Sequence, residues 1–192
     1  MVWNLRARVV VVDIVKKIIW EFLLILSEIE CRLSDPGGMV VLRKLFLRHS
    51  RVSYGQYIWV GRSFRLVSKG KLRLGNRCAI GAYSRIENGG PIEIGDDFLG
   101  ASGLTLVSGA HDNSSLQPAS GRITIGDRVW CGVNVTILTN VTIGDDVIVG
   151  AGSVVTKDIP SNSIAAGVPA KVIKRLSRNP GDHFWSVFDN IA

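Results

Sequence analysis

The stretch that decides the fold is residues 123–159, ITIGDRVWCGVNVTILTNVTIGDDVIVGAGSVVTKDI. Small, mostly apolar residues return in it every six positions, in two series. The first series is Ile125, Cys131, Ile137, Ile143, Val149 and Val155, and the second is Val129, Val135, Val141, Val147, Ser153 and Ile159. A period of six fits neither an α-helix nor a simple two-residue strand alternation. It is typical of a hexapeptide β-helix, in which each hexad forms one flat side of a triangular coil.

A longer period supports this interpretation, because the phrase Ile125-Gly126-Asp127 recurs 18 residues later as Ile143-Gly144-Asp145. Three hexads therefore close one turn, with the apolar series pointing inward. We expect the Gly and Asp of this phrase to occupy corners, where a positive φ or a side-chain-to-backbone hydrogen bond is useful. Related phrases begin at Leu72 and Ile92, which extends the β-helix toward the N-terminus.

The spacing of these phrases locates an insertion. From Leu72 to Ile92 to Ile123 to Val141 the intervals are 20, 31 and 18 residues. The first excess of two residues falls at 88–91, and the second excess of thirteen falls after Leu106, in the polar loop 108–121. One long loop on a regular solenoid usually carries the function. This loop contains His111, one of three histidines in the chain.

Length and composition predict one compact domain with appendages. The 192 residues divide into an N-terminal amphipathic helical region (1–51), the β-helix (52–168) and a short C-terminal helix with a tail (169–192). The predicted fold is thus mainly β. Of three cysteines, Cys78 and Cys131 fall in the inward series and are predicted to be core residues, which suits a reducing cytoplasm.

The positive charge is concentrated in the N-terminal part of the chain. Residues 1–75 carry 14 Lys/Arg against 5 Asp/Glu, whereas residues 76–192 carry 9 against 11. The apolar residues of 13–33 follow helical spacing, but interspersed charges exclude a transmembrane helix there. Two interpretations stay open: this helix packs on the β-helix or a neighbouring subunit, or it also rests on an anionic membrane surface near a lipid-linked substrate. No nucleic-acid-binding module is present.

Four motifs support a family comparison: ITIGDRVWCGVNVTI (123–137), VTIGDD (141–146), GAGSVVTKDIP (150–160) and AGVPAKVIK (166–174). Together they closely resemble hexapeptide-repeat acetyltransferases. Within that family the sequence looks most like galactoside and maltose O-acetyltransferases and their exopolysaccharide and lipopolysaccharide relatives. The resemblance implies a left-handed parallel β-helix and a homotrimer that binds acetyl-CoA between adjacent subunits. No metal is expected, because only one histidine lies in the β-helix. It does not cover the first fifty residues.

Acyl transfer to a sugar hydroxyl needs a base that removes the proton, and histidine is the usual choice. His111 matches the catalytic histidine of the family. Asp112 resembles the acidic partner of some sugar acetyltransferases, although a backbone carbonyl would orient the ring equally well. His49 and His183 lie outside the repeat. The galactoside branch also has an acceptor-binding asparagine one coil earlier, and the matching region here, 81–84, contains none.

The resemblance also implies a set of donor-binding residues. Trp130 matches the tryptophan beside the cofactor arm, and Ala151, Thr156 and Lys157 match pantetheine and nucleotide contacts. Lys171 and Lys174 stand where relatives often carry arginines for the phosphates, whose charge a lysine can also neutralise. The alternative for both lysines is that they are solvated charges leading into the C-terminal helix, and Trp130 could be a structural aromatic.

The predicted function is acetyl-CoA-dependent O-acetylation of a sugar hydroxyl in surface polysaccharide or lipopolysaccharide biosynthesis, in the cytoplasm or at the inner face of the membrane. The identity of the acceptor stays open, and so does N-acetylation of an amino sugar or nucleotide sugar. A γ-carbonic-anhydrase-like zinc enzyme needs three histidines on one metal, and the β-helix contains only His111. A purely structural β-helix would need no long loop with a histidine.

Overall fold

The computed structural model describes residues 52–68, 70–112 and 114–177. The predicted N-terminal helix, Cys31, His49 and His183 lie outside these residues. Within the described part, no helix is long and apolar enough to cross a membrane.

Three parallel sheets form the sides of a β-solenoid of about six turns, and the chain visits them in the order A, B, C. Sheet A contains β1 (Val52–Tyr54), β4 (Leu72–Leu74), β7 (Ile92–Ile94), β12 (Ile123–Ile125) and β15 (Val141–Ile143). Sheet B contains β2 (Trp59–Val60), β5 (Ala79–Ile80), β8 (Leu99–Gly100), β13 (Trp130–Cys131), β16 (Val147–Val149), β18 (Ser163–Gly167) and β19 (Ala170–Arg175). Sheet C contains β3 (Arg65–Ser68), β6 (Arg85–Asn88), β9 (Thr105–Val107), β14 (Thr136–Ile137) and β17 (Val154–Val155). The predicted β-helix is therefore confirmed as a parallel solenoid.

The inward positions follow the six-residue period. Every member of both predicted series is buried, from Ile125 to Ile159. Cys78 and Cys131 are buried and free, and burial raises the pKa of each thiol to about 12, as expected of core residues. The two-residue excess also lies where it was predicted. The inward residues Ile86 and Ile92 are six positions apart, whereas the equivalent Ile137 and Val141 are four positions apart.

The corner between sheets A and B is held by a ladder of carboxylate–backbone hydrogen bonds. Asp145 Oδ1 accepts the N–H of Asp127 at 2.9 Å, and Asp127 Oδ1 accepts the N–H of Asp96 at 2.8 Å. The expectation for Asp is thus confirmed. The preceding glycine, Gly126, was expected to adopt a positive φ, but it does not. A Cβ on Gly126 would lie 2.9 Å from the nitrogen of Asp145, so this position needs close approach between turns.

At this corner the residue with a positive φ lies two positions after the glycine. From one turn to the next, this residue alternates between arginine and aspartate. Arg77 has φ 49°, Asp97 57°, Arg128 55° and Asp146 54°. Arg128 reaches Asp146 on the next turn with two bonds of 2.8 Å, and Arg77 reaches Asp97 with bonds of 2.5 and 2.7 Å. These paired bonds connect successive turns on the outside of the coil.

The C-terminal segment differs from the prediction. Residues that were expected to lead into a helix form strand β19, which runs antiparallel to β18 at the end of sheet B. A helix in the segment 169–192 can therefore lie only beyond Ser177, outside the described residues. Strand β19 places Lys174 opposite Ile164 and Lys171 opposite Ala166. Both lysines are exposed on this terminal strand.

Candidate active site

The insertion 108–121 is a β-hairpin on the corner that follows sheet C. Its strands are β10 (Gly109–His111) and β11 (Pro118–Ser120), paired antiparallel with Gly109 opposite Ser120. Ser108 anchors its base: the buried hydroxyl contacts the carbonyl of Gly90 at 2.9 Å and its amide nitrogen at 3.1 Å. The Ser108 carbonyl accepts bonds from Gly121 N–H and Thr139 Oγ1. The hairpin is therefore fixed to the solenoid on both sides.

His111 ends the first hairpin strand and is exposed. Its Nδ1 lies 2.9 Å from the carbonyl oxygen of Leu116. A carbonyl can only accept, so Nδ1 must carry the hydrogen in this contact. In a neutral ring the other nitrogen, Nε2, is then the atom that can take a proton. The hairpin thus selects one tautomer of His111 through its own backbone.

Asp112 is occupied by the turn of the hairpin. Its Oδ1 accepts hydrogen bonds from the backbone N–H and the hydroxyl of both following serines, at 2.6 and 3.1 Å from Ser114 and 2.8 Å twice from Ser115. The hydroxyl of Ser114, and then the other three donors, hold the pKa of the Asp112 carboxyl well below its usual range. Asp112 therefore stabilises the turn that contains Leu116, and the carbonyl of Leu116 in turn accepts the hydrogen bond from the His111 ring.

A cleft of about 600 Å³ lies between the hairpin and the outer face of sheet C. Its walls combine small apolar side chains, backbone of the hairpin and two titratable side chains. The lining residues are Val67, Glu87, Asn88, Gly89, Val107, Gly109, Ala110, His111, Pro118, Ala119 and Ser120. A concave site that combines polar groups with small apolar side chains is suited to a small, partly polar organic molecule.

Glu87 is a cleft residue that sequence reasoning missed. It points outward from β6, one turn before the hairpin, and its carboxylate makes an ion pair with Arg85. The available signal was the alternation of Ile86 and Asn88, which are inward, with Glu87 between them. The alternation shows only that Glu87 points outward. Its place in the cleft follows from the strand register, which sets Glu87 beside Val107.

The predicted donor-binding residues lie on other parts of the coil. Trp130 points outward from sheet B and is 45% exposed, in a row with Leu99 and Ile148 on the neighbouring strands. Lys174 continues this row through Ile164. Three further residues are exposed on two corners: Ala151 follows sheet B, whereas Thr156 and Lys157 follow sheet C.

One chain does not bring all these residues together. The hairpin rises from the corner between sheets C and A, which lies opposite sheet B in a three-sided coil. His111 therefore lines a cleft over sheet C, while Trp130, Lys171 and Lys174 belong to sheet B. Thr156 and Lys157 share a corner with the hairpin, two turns further along.

The outer face of sheet B is unusually apolar for a surface. Its outward row contains Trp59, Ala79, Leu99, Trp130, Ile148 and Ile164. The matching row of sheet A is polar: Ser53, Arg73, Glu93, Thr124 and Thr142. An apolar row on one face marks a surface that favours contact with another body.

No group of three or more His, Cys, Asp or Glu side chains suitable for a metal occurs among residues 52–68, 70–112 and 114–177. The three-histidine arrangement of a γ-carbonic-anhydrase-like site is thus not formed by the described coil.

Comparison with known proteins agrees with this architecture. The family described as bacterial transferase hexapeptide (six repeats) matches residues 122–157. Galactoside O-acetyltransferase of Escherichia coli K12 is 36% identical over 138 residues, which are 69% of this chain and 61% of that protein. WbbJ of the same strain, a protein assigned to O-acetyl transfer in lipopolysaccharide biosynthesis, is 31% identical over 167 residues. That match covers 72% of this chain and 85% of WbbJ.

Solved structures give the same result. A galactoside acetyltransferase in complex with coenzyme A superposes with a TM-score of 0.65 at 31% identity, covering 84% of this chain and 81% of that chain. The polysialic-acid-specific acetyltransferase NeuO superposes with a TM-score of 0.53 at 28% identity, covering 73% and 76% of the two chains.

Proposed function

The chain belongs to the bacterial hexapeptide-repeat acetyltransferases, and from this premise we propose that it transfers the acetyl group of acetyl-CoA to a hydroxyl of a sugar. The observation that carries the proposal is His111, which lines the cleft with its Nδ1 bonded to the Leu116 carbonyl. That contact leaves Nε2 available as a general base. The relatives named for galactoside and lipopolysaccharide acetylation support a glycan acceptor in surface polysaccharide biosynthesis.

In this proposal acetyl-CoA supplies the acetyl group as a thioester, and His111 moves the proton. Nε2 takes the proton of the acceptor hydroxyl as that oxygen attacks the acetyl carbon. The carbon–sulfur bond then breaks, and the imidazolium returns the proton to the departing thiolate sulfur. The Leu116 carbonyl orients the ring, because Nδ1–H donates to that carbonyl throughout. Asp112 supports this arrangement by holding the turn that contains Leu116.

The donor site of the proposal lies on sheet B. Trp130 offers a large exposed ring, and the edges of the solenoid offer backbone groups to the amides of the pantetheine arm. Lys171 and Lys174 are exposed on the terminal strand, where ammonium groups can pair with the phosphates of the nucleotide end. Ala151 extends this part of the donor site from the corner after sheet B, whereas Thr156 and Lys157, at the corner of the hairpin, contact the donor from the side of His111.

We also propose a homotrimer, and the division of the site supports an assembly of several copies. Trp130 and the two lysines of β19 lie on sheet B, and His111 lies over sheet C, which supports a site that combines these residues from different copies. The apolar outer row of sheet B is a suitable contact surface between copies. We further propose the left-handed winding of the coil and a cytoplasmic site of action. The free buried thiols of Cys78 and Cys131 suit that reducing compartment.

The test is thiol release from acetyl-CoA with a panel of sugars, nucleotide sugars and glycolipids, for the wild type and His111→Ala. Loss of a positioned base lowers turnover about 10²–10⁴-fold. His183→Ala, outside the repeat, is the matched histidine control and should keep full activity. Both variants should keep the wild-type mass, about three times the 20.9 kDa chain. An unchanged rate in trimeric His111→Ala would refute the assignment, and preferred transfer to an amino group would favour the N-acetyltransferase alternative.

A further inference from the structure

The outward row beneath the hairpin has a distinctive composition. Val67, Glu87 and Val107 lie side by side on three adjacent parallel strands, with Glu87 in the middle. All three line the same cleft as His111. Neighbouring strands are about 4.8 Å apart, so the carboxylate has an aliphatic side chain on each side. The floor of the cleft is thus one anionic group between two apolar surfaces.

Glu87 is held in place by its neighbour on the same strand. Arg85 lies two residues earlier on the same face of β6, and its guanidinium forms an ion pair with the Glu87 carboxylate. The Glu87 side chain keeps 35% of its surface exposed, so one partner fixes the carboxylate without enclosing it. A carboxylate accepts about four hydrogen bonds, so it retains acceptor capacity toward a molecule in the cleft.

We propose that Glu87 is the residue that selects the acceptor: it accepts hydrogen bonds from hydroxyl groups of a neutral sugar while the C–H face of the ring packs on Val67 and Val107. The inference rests on the proposed function, because it assigns the cleft to the acceptor. A fixed carboxylate favours hydroxyl or ammonium donors, and it cannot hydrogen-bond a second carboxylate because both groups only accept. The acceptor portion in the cleft is therefore a neutral or amino sugar, and a uronic acid is rejected.

The experiment measures acetyl transfer to methyl galactoside and methyl glucoside and to the corresponding methyl uronides. Wild-type protein should prefer the neutral glycosides. Glu87→Gln keeps the size of the side chain but removes its charge, and hydrogen bonds to charged groups are the stronger ones. KM for the neutral glycosides should rise about tenfold, with kcat within about twofold, and the preference over the uronides should narrow.

Glu93→Gln is the matched control. Glu93 also points outward from the coil and pairs with an arginine, Arg122, at 3.0 Å, but it lies on sheet A. Its KM values should equal those of the wild type. Wild-type KM values in Glu87→Gln, with transfer intact, would overturn the selection role and leave the proposed function standing.

Saturation-transfer NMR with the same glycosides separates the two proposals if no glycoside is acetylated. Absence of transfer counts against the proposed sugar acetylation. Neutral glycosides that bind the wild type and are weakened by Glu87→Gln would still support the role of Glu87. No binding, or equal binding to both proteins, would overturn it.

Discussion

The turn 123–140 and the hairpin 109–120 are close neighbours in the chain, but different forces place their side chains. In the turn, Ile125 and Ile137 are at most 2% exposed and lie in register with the inward residues of the turns on either side. In the hairpin, His111 and Leu116 are exposed and are placed by local hydrogen bonds. Stability and chemistry are therefore carried by separate residues, and each can be changed without the other.

The largest expected effect is a loss of stability in the coil, and it compares two aliphatic truncations. Ile137→Ala leaves a cavity in the fully buried inward series and should lower the free energy of unfolding by about 2–5 kcal/mol. Leu116→Ala removes a side chain that is 72% exposed and should change it by about 0.5 kcal/mol or less. Denaturant unfolding checks both values. Equal losses would show that hairpin and coil share one core.

A smaller effect concerns the acidic residue beside the base. Asp112→Asn keeps an oxygen that can accept from Ser114 and Ser115, so the turn and the Leu116 carbonyl should stay in place. We expect kcat to fall less than about tenfold. Where a carboxylate directly orients a catalytic histidine, the same Asp→Asn change lowers kcat about 10⁴-fold. Steady-state kinetics at saturating acceptor distinguishes the two roles. A fall of a thousandfold would make Asp112 the orienting partner.

The smallest effect is the acid response of the coil corner. The backbone N–H and then the side chain of Asn76 lower the pKa of Asp96. A carboxyl whose folded pKa is depressed stabilises the fold above its unfolded value, about 3.9, and loses that contribution as the pH falls through the folded value. The melting temperature should therefore decline below about pH 4. Asp96→Asn should flatten this decline, and an unchanged slope would exclude a role for Asp96.

The sequence predicted the coil well because the period of six acts on every turn. Both inward series, the bulged corner at 88–91 and the position of the insertion are as the spacing predicted. For the corners, the sequence predicted the hydrogen bond but not the residue with the positive φ. Asp127 makes the expected backbone bond, but the positive φ falls on Arg128, where no local preference marks it. Stacking between turns imposes that conformation, and the sequence of one turn does not contain this information.

The candidate site was less accessible from sequence, since its contacts cross between turns and within the hairpin. The position of His111 in the inserted loop was predicted, but its contact with Leu116 depends on how the hairpin folds back. Glu87 enters the cleft only through the register of β6 and β9. Lys171 and Lys174 lie on strand β19 because the chain folds back on β18 through Val168 and Pro169, and the sequence analysis did not predict this local hairpin.

The division between coil and hairpin is tested most directly by removing the hairpin. Deleting residues 109–121 takes out the thirteen extra residues and leaves Leu106 and Ile123 four positions apart, as Ile137 and Val141 are. Arg122→Asn in the same variant supplies the residue found at the equivalent Asn140, whose φ is 60°.

Circular dichroism during heating and thiol release from acetyl-CoA are then measured on this shortened chain. We predict a cooperative transition within a few degrees of the wild type, because the inward series is complete, and no acceptor-dependent release, because His111 and the cleft wall are gone. Loss of the cooperative transition, or retained transfer, would contradict the account.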